Sequence, residues 1–352
     1  MKRLIWLAML AFATLAACTD KDADVAPHNV TPPPPPPSPG DSTSGDSTSS
    51  KYWADTAFKS PVDLGTVAAP CIYVTVFDIK GQQYTVQKYS LDGKVRQVVV
   101  NATYSGWPYW HAPGFSSRGE FMTLSDREGL HVRDMRTNAS RLICELKGKA
   151  IGAAQFSADN EKLAFFAVIP DEPVFGDLYV VDHRPGAVPV NLTKSADNEI
   201  LSVPAFSPDG KSIAYTTWGT LYVTDVEGNQ RIEVQKDFSY WTDYPFFTPD
   251  GRKIIYTSDK GHVYQGSEIY VTDVAEGAER NAVKLTEAKK YGLKSASSPM
   301  LSPDGNTLYF VGETYAGQSH LYSMPIGGGK FTLVTPCVSA KDLAARLTFV
   351  IQ

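Results

Sequence analysis

Cysteine is scarce in this sequence: four occur among 352 residues. No two of them form a Cys-x-x-Cys pair or the Cys/His spacing of a structural zinc site. Basic residues do not predominate either, because 33 Lys and Arg stand against 38 Asp and Glu, for a formal net charge of −5. These shortages exclude a disulfide scaffold and a zinc module, and they argue against nucleic acid as a partner.

Catalytic signatures are missing as well. The sequence has no Gly-x-Ser-x-Gly elbow, no His-Glu-x-x-His pair and no Walker loop. The nearest approach to a phosphate loop, at residues 327–330, lacks the leading spaced glycine and a Ser or Thr after the lysine. We therefore expect no catalytic residue, no bound metal and no cofactor.

Helix breakers, in contrast, are plentiful. The chain has 27 Gly and 24 Pro, about one residue in seven, and its aromatic content is 11%. This composition favours strands and turns over a helical bundle. The hydrophobic content of 43% is sufficient for a sizeable core.

Residues 1–17 have the layout of a secretory signal peptide. Lys2 and Arg3 give a positive start, and residues 4–15 form an apolar run that is too short to span a bilayer. The junction Leu-Ala-Ala-Cys at residues 15–18 resembles the lipobox of bacterial lipoproteins, in which the cysteine becomes the lipidated first residue. The resemblance implies acylation of Cys18, palmitate included, and a membrane anchor made of lipid. An ordinary cleaved signal, which would release a soluble protein, is the alternative.

The segment at residues 18–60 is predicted to be a disordered tether. Residues 32–37 are six consecutive prolines, and no aromatic residue occurs between Thr19 and Ser50. Thr19 stands where enterobacterial lipoproteins retained in the inner membrane carry an aspartate. The resemblance therefore favours the outer membrane and leaves open whether the head faces the periplasm or the cell surface.

Residues 61–352 contain six copies of one repeated unit. In a clear copy, Phe-Ser-Pro-Asp-Gly at residues 206–210 precedes Ile-Ala-Tyr at 213–215 and Leu-Tyr-Val-Thr-Asp at 221–225. The phenylalanines that open successive copies, at positions 115, 156, 206 and 247, are 41, 50 and 41 residues apart. Short runs of Tyr, Val, Ile and Phe between turn residues at this period predict four-stranded antiparallel blades.

The first copy lacks an inner strand, and the final run at residues 347–351 lacks a unit of its own. We predict that this run supplies the missing strand and closes an all-β, six-bladed propeller, because closure removes exposed strand edges. Closure would bring Cys71 near Cys337, which would allow a disulfide or, equally, a buried pair of thiols.

These units resemble the TolB-type, or WD-like, β-propeller repeats of secreted and periplasmic bacterial proteins. The resemblance covers roughly residues 108–335 and depends on Phe-Ser-Pro-Asp-Gly, the following Ile-Ala-Tyr-like strand and the Leu-Tyr-Val-x-Asp strand. It implies the propeller fold but no particular ligand. TolB itself carries a small α/β domain before its propeller, where this chain has the tether.

Two sets of residues lie on opposite rims of the predicted ring. Aspartates repeat at the turns of one rim, where we expect them to cap turns by accepting backbone hydrogen bonds. These aspartates are Asp134, Asp159, Asp182, Asp209, Asp225, Asp250, Asp273 and Asp304. Aromatic residues gather in the variable loops of the other rim, beside charged residues, and are candidates for binding a peptide or a sugar. The candidates are Trp107, Tyr109, Trp110, His111, Trp218, Tyr240, Trp241, Tyr244, Tyr264 and Tyr315.

Several functions remain open from the sequence. The favoured one is a lipid-anchored binding module, with a monomeric head, for an envelope protein or polysaccharide. The aromatic rings could instead fill the seams between blades, and the protein could be a scaffold within an envelope complex. The alternative from another class is a metal-assisted, polysaccharide-active enzyme, for which His111, His262 and His320 could converge on the variable rim.

Overall fold

The computed structural model describes residues 70–78, 83–94, 96–103, 112–125, 129–169, 172–194, 203–217, 219–236, 241–260, 266–339 and 346–350. The predicted signal peptide at residues 1–17 and the tether at residues 18–60 lie outside this part of the chain. Within it, no helix is both long enough and apolar enough to cross a membrane.

The described strands form six antiparallel sheets. In spatial order, the first sheet contains β23 (Arg346–Val350), β1 (Cys71–Asp78), β2 (Gln83–Ser90) and β3 (Arg96–Thr103). The second contains β4 (Phe121–Ser125), β5 (Gly129–Asp134) and β6 (Ser140–Glu145). The third contains β7 (Ala150–Phe156), β8 (Lys162–Ile169), β9 (Glu172–Asp182) and β10 (Val190–Asn191).

The last three sheets follow the same order. The fourth contains β11 (Ala205–Phe206), β12 (Ser212–Thr216), β13 (Thr220–Asp225) and β14 (Arg231–Lys236). The fifth contains β15 (Thr242–Phe247), β16 (Lys253–Ser258), β17 (Glu268–Asp273) and β18 (Val283–Lys284). The sixth contains β19 (Leu293–Leu301), β20 (Thr307–Thr314), β21 (Ser319–Pro325) and β22 (Thr332–Ser339). Two short 3-10 helices, Ala278–Asn281 and Ala288–Tyr291, lie in blade five and in the connection to blade six.

The predicted closure of the ring is confirmed. Strand β23 pairs antiparallel with β1, from Cys71 opposite Val350 to Thr75 opposite Arg346. Alternate residues of β1 then face the two neighbouring blades. Ile72 packs with a core cluster of blade six, whereas Tyr73 stacks on Phe115 of blade two, with ring centroids 4.3 Å apart.

The predicted bridge between Cys71 and Cys337 stays a prediction. The side chain of Cys71 is fully buried and belongs to the same cluster as Tyr73, on the side of β1 that faces blade two. Burial raises the pKa of this thiol. Strand β22, which carries Cys337, contacts β1, but the side chain of Cys337 lies outside the described part.

Blade two departs from the predicted four strands, since it has three named strands. A short segment occupies the inner position and pairs with β4 through one bridge, Phe115 to Met122. Backbone bonds from Thr123 to Gly114 and from Ser116 to Phe121 extend this contact. Pro113 lacks a donor and Gly114 has no side chain to pack, so this copy does not form a regular strand.

Paired aromatic rings explain why the unit repeats Tyr or Phe at fixed positions. In blades three to six, a ring on the second strand lies directly opposite a ring on the third strand, and the two rings stack with centroids 5.4 to 5.8 Å apart. The pairs are Phe165 with Tyr179, Tyr215 with Tyr222, Tyr256 with Tyr270, and Phe310 with Tyr322.

One rim of the ring, here named the turn rim, consists of the turns between strands one and two and between strands three and four of each blade. A repeated backbone bond joins the two turns within a blade, for example from Val226 to Lys211 and from Val274 to Arg252. The opposite face, named the loop rim, carries the loops between strands two and three and the crossings between blades. This assignment of the turns agrees with the sequence prediction.

Six of the eight repeat aspartates cap turns as predicted, and Asp134 is one of them. The prediction is wrong for Asp182 and Asp273, whose carboxylates accept bonds from the side chains of Lys162 and Lys253. In each Ser/Thr-x-Asp turn of blades three to six, the hydroxyl and a backbone N–H two residues after the aspartate donate to the carboxylate. These bonds lower the pKa of Asp159, Asp209, Asp250 and Asp304. Asp225 accepts three backbone N–H bonds in the corresponding turn between strands three and four. The hydrogen-bonding capacity of these aspartates is therefore directed into the fold.

Candidate functional site: the loop rim

Three of the ten predicted rim residues lie in the described part of the chain: Trp241, Tyr244 and Tyr315. The other seven, Trp107, Tyr109, Trp110, His111, Trp218, Tyr240 and Tyr264, lie outside it. The site is therefore built here from the three described rings and the side chains around them.

Trp241 is fixed at the entry to the inner strand of blade five. Its backbone N–H donates to the Asp259 carboxylate over 2.5 Å, and the Asp259 N–H donates to the Trp241 carbonyl over 3.2 Å. These reciprocal bonds tie the start of β15 to the end of β16. Trp241 is nonetheless 38% exposed, so part of its surface is available to a ligand.

Polar side chains next to Trp241 form a buried layer that the sequence analysis did not single out. Gln235 of β14 is buried, and its amide donates to the Thr242 hydroxyl over 3.0 Å. The Thr242 hydroxyl in turn lies 3.5 Å from the Ser258 hydroxyl. The layer links blades four and five directly beneath the loop rim. Its signal in the sequence is weak, because isolated Gln, Thr and Ser residues in strands are common.

Tyr244 lies three residues after Trp241 in the sequence and is part of a β-bulge. The pairing of β15 with β16 shifts register between Asp243 and Phe246, and Tyr244 has a φ of 52°. The Tyr244 N–H donates to the Asp243 carboxylate over 2.7 Å. A bulge redirects the side chains of a strand. Strand β19 has the same feature, with a register shift and a φ of 51° at Ser298.

Tyr315 is the most exposed of the three rings, at 68%. It lies in the hairpin between β20 and β21, which is closed by a backbone bond from Thr314 to Gln318. At the base of this hairpin, Glu313 accepts bonds from Lys294 over 3.0 Å and from Ser295 over 3.1 Å. The hairpin thus presents an aromatic ring on a tied base.

The described histidines do not form a shared site. His320 of β21 is half-buried, burial lowers its pKa, and its ring meets Tyr322 edge-on. His183 lies on the turn rim between the rings of Phe121 and Phe156, with Nδ1 2.9 Å from the Asn160 carbonyl oxygen. Among the described residues, no group of three His, Cys, Asp or Glu side chains is arranged to hold a metal. His111 and His262 lie outside that part, so their convergence with His320 stays a prediction.

The sheets and their contacts define a six-bladed β-propeller with a uniform turn rim and a varied loop rim. Residues 176–346 match the family model of the TolB beta propeller domain. The repeats within this range are therefore TolB-type propeller repeats, and the resemblance of the repeats noted in the sequence is confirmed there. The sequence matches none of the curated proteins.

Solved structures of TolB-type proteins share this fold. A putative TolB from Agrobacterium tumefaciens aligns with a TM-score of 0.55 and 16% identity, over 80% of this chain and 99% of that one. TolB from Acinetobacter baumannii aligns with a TM-score of 0.50 and 18% identity, over 77% and 70% of the two chains. An oligogalacturonate lyase from Vibrio parahaemolyticus aligns with a TM-score of 0.52 and 13% identity, over 82% and 86%. At these identities the likeness shows the fold alone.

Proposed function

We propose that this protein is a lipid-anchored binding module of the bacterial cell envelope, whose loop rim holds an envelope protein or polysaccharide. The observation that carries the proposal is the exposure of Trp241 and Tyr315 on backbone that is tied at both sites. Aromatic rings held in this way give a large contact area for little loss of side-chain entropy.

The contrast between the rims supports the choice of face. On the turn rim, hydroxyl and backbone donors satisfy the repeat aspartates, and the same contacts recur from blade to blade. The loop rim differs from blade to blade, as a surface for a specific ligand must. The mild acidity of the whole chain gives no general attraction to polyanions, so a polymer would have to be held by local contacts.

The envelope location follows from the lipobox-like junction at Cys18 together with the TolB-type repeats. We expect Cys18 to be acylated and the tether to hold the head away from the outer membrane. Metabolic labelling with palmitate tests this: the parent takes up label and Cys18→Ala does not. A parent protein without label would leave the head unanchored and contradict this part of the proposal.

Site-specific photo-crosslinking in living cells tests the binding face. A photoreactive residue at position 315 reports on the loop rim, and one at position 188 is the matched control. Val188 is 82% exposed between β9 and β10 on the turn rim. We expect discrete adducts from position 315 and none from position 188. Equal adducts from both positions, or from neither, would argue against the loop rim as the binding face.

A second candidate is the polysaccharide-active enzyme, which the oligogalacturonate lyase fold and His320 on the loop-rim side favour. Incubation with polygalacturonate, with and without added manganese, separates the two candidates. Chain shortening that is lost in His320→Ala would favour the enzyme. Intact polymer under both conditions would favour the binding module.

A further inference from the structure

A groove on the loop-rim side of blade five, where the chain crosses to blade six, concentrates positive charge in an otherwise acidic chain. Its volume is about 280 Å³, and five lysines line it. We name it the lysine groove; its lining residues are Lys260, Gly266, Glu268, Tyr270, Lys284, Glu287, Lys289, Lys290 and Lys294. Five ammonium groups and two carboxylates line the groove, and Glu313 beside it pairs with Lys294, so two positive charges remain in excess.

The walls of the lysine groove are fixed by the contact between the two blades. Gly266 has a φ of 114°, and a Cβ there would lie 1.9 Å from the Lys294 carbonyl oxygen. The Ala296 N–H donates to the Ser267 carbonyl over 2.8 Å, and the Ser267 hydroxyl donates to the Ala296 carbonyl over 3.2 Å. This close approach needs glycine and joins the two residues that precede β17 to strand β19.

Both carboxylates in the groove already have partners. The Glu268 carboxylate accepts bonds from the Thr286 hydroxyl over 2.6 Å and from the Ala288 N–H over 3.0 Å. Glu287 pairs with Lys290 over 2.9 Å, and this contact lowers the pKa of the Glu287 carboxyl. Glu268 therefore binds the start of the 3-10 helix Ala288–Tyr291, and Glu287 binds Lys290.

Three lysines of the groove form no ion pair with a described residue, although the charge of Lys284 contributes to the lowered pKa of Glu287. Lys290 pairs with Glu287 and Lys294 pairs with Glu313. Lys260, Lys284 and Lys289 have no ion pair with any described residue. One sugar carboxylate would offset one of these charges, whereas a phosphate monoester carries about −1.5 to −2 and three acceptor oxygens.

We propose that the lysine groove binds a phosphate-bearing group. Lysine binds phosphate as a point charge, and the excess of ammonium groups over carboxylates matches the charge of one phosphate better than that of one carboxylate. The volume is near the lower end of small-molecule pockets, which run from about 300 to 1,000 Å³, and fits one phosphorylated sugar or one lipid headgroup. None of Trp241, Tyr244 and Tyr315 lines the groove, so the proposal does not depend on whether those rings bind a ligand.

The test is titration of the folded head with glucose 1-phosphate and, separately, with phosphatidylcholine vesicles containing one quarter phosphatidylglycerol. Binding to the sugar phosphate alone indicates a soluble source of the phosphate group, binding to the vesicles alone indicates a lipid source, and each supports the site. Glucuronate is the carboxylate comparison. Absence of binding to both phosphate probes, or equal binding of glucuronate, would overturn the proposal.

Variants locate the binding. In Lys284→Gln/Lys289→Gln we expect the affinity for the bound phosphate probe to fall about tenfold or more, because two charge-assisted contacts are lost. Lys147→Gln/Lys211→Gln removes the same charge elsewhere and should leave affinity within about twofold, since distant surface charges are screened. Glu287→Gln should tighten binding, because it frees Lys290 and removes a negative charge. Equal losses of affinity in the two double variants would contradict the site. Unchanged affinity in Lys284→Gln/Lys289→Gln would contradict it as well.

Discussion

Cys71 lies opposite Val350 across the first sheet, so residues near the two ends of the propeller are neighbours in one antiparallel ladder. The pairing places the C-terminal strand against β1, whose Ile72 and Val74 are fully buried against blade six. The ring is thus held closed by strand pairing and apolar packing together.

Removing the closing strand should destabilise the whole ring. Truncation after Asp342 deletes β23 and leaves the backbone edge of β1 unpaired, although Ile72, Tyr73 and Val74 of this strand are buried in the ring. We expect the melting temperature to fall by more than about 5 °C. Truncation after Val350, which keeps β23, is the control. Calorimetry that finds both proteins melting like the parent would refute closure through this strand.

The stacked rings of blade six should matter far more for stability than its exposed ring. Phe310 is fully buried between Tyr322, at 5.7 Å, and Phe331, at 4.8 Å. Phe310→Ala should lower the free energy of unfolding by about 3 to 5 kcal/mol. Tyr315→Ala, in the same blade, should change it by less than about 0.5 kcal/mol. Urea titration compares them, and similar values would mean that the rings do not have these separate roles.

Asn160 occupies the turn position that is glycine in three later copies, and it links two blades. Its φ is 62°, its side-chain oxygen accepts from the Ser117 N–H over 3.1 Å, and its amide donates to the Ser117 hydroxyl over 3.1 Å. Asn160→Ala loses both bonds and keeps a strained Cβ, so we expect a loss of about 1 to 3 kcal/mol. Asn160→Gly relieves the strain and should lie between that variant and the parent. If Asn160→Gly were as stable as the parent in chemical denaturation, neither bond would contribute to stability.

Acid should lower the stability that the Asp92 turn contributes to the fold. Bonds from Ser90 and Lys94 lower the pKa of Asp92 to about 2, from an ordinary value of 3.8. A carboxyl whose pKa is lower in the folded state stabilises the fold above its unfolded pKa, and this contribution is lost as the pH falls toward about 2. Asp92→Asn should therefore lose less stability than the parent between about pH 5 and pH 2. Parallel losses in the two proteins, measured by urea midpoints, would show that this turn carries no pH-linked stability.

The parts of the fold that repeat were predictable from the sequence, since each copy carries the same turn and strand residues. The exceptions depend on local chemistry or on distant contacts. Pro113 and Gly114 prevent a regular inner strand in blade two, and the bulges at Tyr244 and Ser298 are not marked by any residue of the repeat sequence. In the candidate site, the aromatic composition of the loops was visible in the sequence. The bond between Trp241 and Asp259 was not, because it forms only when β15 and β16 pair.

The lysine groove was not predictable from the sequence either. Lys260, Lys284 and Lys289 are spread over thirty positions and read individually as solvated surface residues. Only the crossing from blade five to blade six brings them around one cavity. Four of the five lysines lie between positions 284 and 294, but the sequence does not show that they face Lys260 across a cavity.

The most direct test of the loop rim as a binding face is the Trp241→Ala/Tyr315→Ala variant, followed by both melting temperature and crosslinking. A photoreactive residue at position 316, next to position 315 in the exposed turn of the hairpin, reports on the crosslinks. We predict a melting temperature within about 2 °C of the parent, as for exposed side chains, together with loss of the adducts. A fall of more than about 5 °C, or adducts that persist unchanged, would mean that these rings stabilise the propeller itself and would contradict the proposed function.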